Sequence, residues 1–117
     1  MRHLNRLNKL SKPADQRKAL LRSIVRGLIL NESVKTTHPR AKASQRLAEQ
    51  LVSYAKRGDL HARRLALKVI PEADVVHKLF AEIGPRYTDR PGGFTQVIRA
   101  GIRRGDSTQM AILRWTE

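Results

Sequence analysis

Residues 94–115, FTQVIRAGIRRGDSTQMAILRW, decide the fold. Without them the chain reads as almost wholly helical. Phe94 to Ile102 alternates apolar and polar well enough for a strand, and Met110 to Trp115 makes a second. Between them, Arg103-Arg104-Gly105-Asp106-Ser107 reads as a turn, with Gly105-Asp106 as the hairpin signal.

Working back from the hairpin, residues 86–93 form a basic loop containing Gly and Pro, and Gly84-Pro85 is expected to break the helix before it. That helix is predicted from Ala73 to Ile83, presenting Val75, Val76, Leu79, Phe80 and Ile83. A shorter one, Leu60 to Val69, carries Leu65, Ala66 and Val69 and stops at Pro71. Before it, Gly58 suits the left-handed end of a helix from Pro39 to Lys56, and Asp59 suits the cap of the next. Thr37-His38-Pro39 reads as that longer helix's start. The β-branched run Ser33-Val34-Lys35-Thr36 reads as a strand. The first helix, Asp15 to Asn31, places Leu20, Leu21, Ile24, Val25, Leu28 and Ile29 on one face. The order is therefore α-β-α-α-α-β-β. Helices covering one face of a small sheet make a two-layer α+β domain. It is expected to span residues 15–117, behind a basic N-terminal extension at 1–14.

Charge says what such a domain meets. Its 24 Lys and Arg against 10 Asp and Glu give a formal net charge of +14. Residues 1–42 carry +9 of it, residues 43–85 only +2, and residues 86–117 +3. In the extension, Arg2, Arg6, Lys9 and Lys12 face no acid. Such a stretch reads either as a short amphipathic helix or solvated tail, or as a basic extension that gains order by neutralising phosphates. Arg17, Lys18, Arg22 and Arg26 lie mainly off the first helix's apolar stripe. A helix lying along phosphates and a helix with a solvated face share this pattern. Lys35, Thr36, Thr37, Arg40 and Lys42 gather at a strand–helix junction, where free N–H groups and a hydroxyl favour phosphate. Arg86, Arg90, Arg103 and Arg104 sit in the two basic loops, and Arg63 and Arg64 on the third helix.

Catalytic chemistry finds no footing. Zero Cys excludes a disulfide scaffold, a Cys-ligated zinc module and a thiol nucleophile. His3, His38, His61 and His77 form no H-x-x-x-H pair, so no metal or other cofactor is expected. There is no G-x-S-x-G elbow, and Gly92-Gly93 lacks the pattern of a phosphate-binding loop. Neither a small-molecule substrate nor an enzymatic activity is expected. No apolar run approaches the ~20 residues of a spanning helix, and no apolar core follows the basic start as a secretory signal requires. A membrane partner is not expected.

The polyanion is narrowed by scarcity. Aromatics make up 4% of the chain, too few for stacking platforms that read single strands. Distributed cations with few base-reading groups suit the shape and backbone of a folded RNA, with duplex DNA as the rival.

The residues also carry a resemblance. Met1-Arg2-His3, the run Asp15 to Arg22, Val34-Lys35-Thr36-Thr37 with Arg40-Ala41-Lys42, and Leu60-His61-Ala62-Arg63-Arg64 are its first carriers. Val76 to Glu82 follows, then Gly84-Pro85-Arg86-Tyr87, Asp89 to Thr95, Arg103 to Asp106 and Met110-Ala111-Ile112. In order and spacing these resemble the bacterial large-subunit ribosomal proteins of the L-seventeen family, over essentially the whole length. The resemblance implies a non-enzymatic rRNA-binding protein in the large subunit of the cytoplasmic ribosome, near the polypeptide exit tunnel. It implies neighbours from the L-twenty-two and L-thirty-two families rather than a homo-oligomer, a small mixed sheet, and His3 among the rRNA contacts.

Overall fold

The computed structural model describes residues 9–117. Its elements are α1 (Ala14–Asn31), β1 (Ser33–Thr37), α2 (His38–Arg57), α3 (Leu60–Val69), α4 (Ala73–Lys78), a π-helical turn (Leu79–Ile83), α5 (Gly84–Arg86), β2 (Thr95–Ile102) and β3 (Gln109–Trp115). With α4, the π turn and α5 forming one continuous helical run, the order is the α+β order expected.

Local chemistry sets the boundaries. α1 buries Ile24, Val25, Leu28 and Ile29, and ends at Glu32, whose φ of 70° is left-handed. α2 ends at Gly58, with φ 69°, where the absent Cβ removes the penalty for that conformation. Asp59 then caps α3, its Oδ1 accepting the Ala62 N–H at 2.7 Å.

α2 is the hub. It touches α1, α3, the π turn, α5 and all three strands. The side chains it buries are mainly small, Ala41, Ser44, Ala48 and Ala55 beside Leu51 and Val52, so neighbouring backbones come close.

One such approach corrects the reading of Gly84-Pro85 as a helix break. Both residues are inside the helical run. A Cβ on Gly84 would lie 2.9 Å from the Ala55 carbonyl oxygen and 3.0 Å from its Cβ. Gly84 is there because α2 passes against it, and its own backbone is helical. Pro85 has no N–H to give, and just ahead of it the helix widens, the Gly84 N–H reaching back to the Leu79 carbonyl.

The sheet has the order β1-β3-β2. A mixed sheet was expected, yet both pairings are antiparallel. β1 and β2 run the same way, but β3 lies between them, so no parallel ladder forms. Ala111, Leu113 and Trp115 of β3 are buried beneath the helices. Val34 and Val97, both paired with Leu113, pack against the same core. Alternation turns Lys35, Ile98, Ile112 and Arg114 to the other face, which no described helix covers.

Two polar anchors fix the hairpin to the helices. The Glu49 carboxylate on α2 accepts the Phe94 and Thr95 N–H groups at 3.1 and 3.0 Å and the Thr95 hydroxyl at 2.8 Å. The Tyr87 hydroxyl donates to the Thr116 carbonyl at 2.6 Å, and its ring meets Phe94 at 5.4 Å.

Candidate nucleic-acid interface

Cations one helical turn apart project from the same side of a helix. Lys18 and Arg22 are so related on α1, and Lys42 and Arg46 on α2. Where α1, α2 and the end of α3 meet, the packing turns these pairs toward each other across a groove of about 680 Å³. Arg17, Lys18, Arg22, Lys42, Arg46 and Lys68 line it, and no carboxylate does. Its apolar part is Leu21, Ala43, Leu47 and Val69, with Gln50 at the edge.

Arg22 is the most confined of these cations. Its Nε is buried and has no hydrogen-bond partner among the described residues. A donor left in that state costs about 1–3 kcal/mol, more when charged. Beside the groove, the Arg17 guanidinium donates to the Lys12 carbonyl at 3.3 Å, tying the turn at residues 9–12 to α1.

Elsewhere the chain uses its own acids. Arg86 makes a bidentate pair with Glu32 at 2.7 and 2.8 Å. Those hydrogen bonds hold the Glu32 carboxyl below its usual range and raise Arg86. Arg26 pairs with Glu72 at 2.5 Å, which raises the arginine further. Arg103 pairs with Asp106 at 2.5 Å, pulling Asp106 well below the ordinary carboxylate range. Arg63 lies over the Phe80 ring at 5.1 Å. Arg90 donates to the Thr116 hydroxyl and the Glu117 carbonyl, both at 3.0 Å, while Lys56 bonds the Arg90 carbonyl and sits over Phe94.

Of the residues singled out from the sequence, the fold thus brings Arg17, Lys18, Arg22 and Lys42 into one place. Lys35 and Thr37 are on the uncovered face of the sheet and Thr36 on the helix side, so the three do not act on one surface. Thr37 caps α2 by position, without a side-chain cap hydrogen bond. Arg40 is half-buried on the first turn of α2, Lys12 half-buried, and Lys9, Arg64 and Arg104 exposed. Arg2, His3 and Arg6 lie outside the described residues. The sequence reading passed over Arg46 and Lys68. The available signal was their spacing, each four residues beyond a basic residue already chosen, Lys42 and Arg64.

Among the described residues no cluster of three His, Asp or Glu is placed to hold a metal ion. No described helix is long and apolar enough to cross a membrane.

The family model for ribosomal protein L17 matches residues 20–116, from the second turn of α1 to the residue after β3. The chain belongs to the ribosomal protein L17 family. Its relatives include the large ribosomal subunit protein bL17 of Symbiobacterium thermophilum, 53% identical over 105 residues, covering 90% of this chain and 93% of that one. That of Syntrophus aciditrophicus is 48% identical over 113 residues, covering 97% and 90%. That of Clostridium botulinum is 47% identical over 105 residues, covering 90% and 93%. This L17 family is one of structural proteins of the large ribosomal subunit that serve translation, and not of enzymes. Of the groove cations, Arg22, Lys42, Arg46 and Lys68 fall inside the matched span, and Arg17 and Lys18 just before it.

Proposed function

We propose that the protein binds large-subunit rRNA in the bacterial cytoplasm and stabilises one tertiary arrangement of it by neutralising phosphates, near the polypeptide exit tunnel. The observation that carries this reading is the groove lined, among the described residues, by six cations without an acid, in a chain that elsewhere pairs Arg26, Arg86 and Arg103 with its own carboxylates. The domain at residues 15–117 supplies the groove, and the extension at 1–14, whose Lys12 carbonyl accepts from Arg17 beside the groove, reaches further into the RNA. Members of the L-twenty-two and L-thirty-two families are its neighbours.

Sedimentation tests this. The protein is expected to travel with large subunits and to leave only in high salt, and rRNA is expected to outcompete duplex DNA. Removing residues 1–12 lowers the slope of log K against log salt by roughly 0.7–0.9 per lost phosphate contact. Preference for duplex DNA, or a salt slope near zero for the full chain, refutes the reading.

A further inference from the structure

We propose that the groove between α1, α2 and α3 receives a single nucleotide turned out of the folded RNA, its phosphates on the cationic rim and its base on the apolar floor. This deepens the rRNA reading and rests on it. A purely electrostatic surface for duplex backbone would be a ridge of cations around water. Here the cations surround Leu21, Leu47 and Val69, all half-buried. A half-open groove of about 680 Å³ falls in the ~300–1,000 Å³ range of sites that take a small organic group, whereas a duplex would lie across its mouth.

Each part of a nucleotide has a counterpart. Lys42, Arg46 and Lys68 supply donors for the flanking phosphates. Arg22, held with its Nε buried, lines the groove with a planar guanidinium on which a base can stack. Gln50 donates from Nε2 to the Tyr54 hydroxyl at 2.8 Å, which orients its amide and leaves its carbonyl oxygen and second N–H for a base edge. Lacking an aromatic ring, the floor accepts a base by shape and contact.

The test uses the full chain with methyl-labelled Leu and Val, titrated with a large-subunit rRNA transcript and, separately, with inorganic phosphate. A seated base shifts the Leu21, Leu47 and Val69 methyl signals upfield through its ring current, and phosphate alone does not. In parallel, the double variant R46Q/K68Q is expected to lower the salt slope by about 1.4–1.8, at roughly 0.7–0.9 per contact. Both side chains are exposed, so folding is expected to be unaffected. R57Q, which removes a charge paired with Asp59 away from the groove, is expected to leave the slope unchanged. Methyl signals that stay still while the wild type binds rRNA with a steep slope overturn the nucleotide pocket and leave the rRNA reading intact. A double variant with the wild-type slope, or an R57Q with an equally reduced one, overturns it too. A wild type that fails to bind the transcript removes both readings.

Discussion

The indole N–H of Trp115 donates to the carbonyl oxygen of Leu28 at 3.2 Å, so the last strand is hydrogen-bonded to the last turn of the first helix. The same oxygen accepts the Glu32 N–H at 2.9 Å, which makes it the point where α1 ends and the sheet attaches. Replacing Trp115 by Phe keeps a ring in the core but removes the donor, and is expected to cost about 1–2 kcal/mol. Trp115→Ala adds a cavity and is expected to cost about 3–5 kcal/mol. Denaturant titration of the two variants distinguishes them, and a Trp115→Phe variant as stable as the wild type would deny the hydrogen bond a contribution.

Gly84→Ala is expected to destabilise by about 1–3 kcal/mol, although alanine favours helices. The added methyl meets the Ala55 backbone, which α2 holds in place. A melting temperature at or above the wild type's would mean that the two helices separate without loss.

Glu49→Gln keeps the size of the side chain and removes one of the two acceptor oxygens that hold Phe94 N, Thr95 N and Thr95 Oγ1. A loss of roughly 1–3 kcal/mol is expected. Hydrogen exchange at the Phe94 and Thr95 amides should accelerate before that of β3. Uniform acceleration would show that Glu49 stabilises the whole domain and not the hairpin's entry.

The Glu32–Arg86 pair sets an acid response. Glu32 titrates below its ordinary 4.5 in the folded state, so the pair's contribution is complete above that value and is lost as pH falls through the depressed one. Both side chains are two-fifths or more exposed, which limits the contribution to about 1 kcal/mol. Stability measured from pH 6 down to pH 3 should fall less steeply in Glu32→Gln than in the wild type. Parallel curves would remove the pair from the acid transition.

The sequence shows what is local. The stripe Ile24, Val25, Leu28, Ile29 marks α1 because burial on one face imposes its period, and Gly58-Asp59 marks both a helix end and a helix start because each uses the backbone next to it. Gly84 misleads for the same reason. Its lack of a side chain answers Ala55, a neighbour only after folding, so the local rule for Gly-Pro yields a break where a helix continues. The candidate interface divides likewise. Lys18 and Arg22 are visible as one turn of one helix, whereas Lys68 joins them only because α3 packs beside α2. Arg26 and Glu72 are 46 residues apart, and no pattern along the chain joins them.

The position of β3 sets how late in synthesis the sheet can pair. Both other strands hydrogen-bond to it, and it is the last element made. Chains grow at about 5–20 residues per second, so β1 waits several seconds for the strand it pairs with among the described residues. Until then the helices lack the sheet that covers their apolar side. A chain truncated before Gln109 therefore loses both described strand pairings and leaves the apolar side of its helices open.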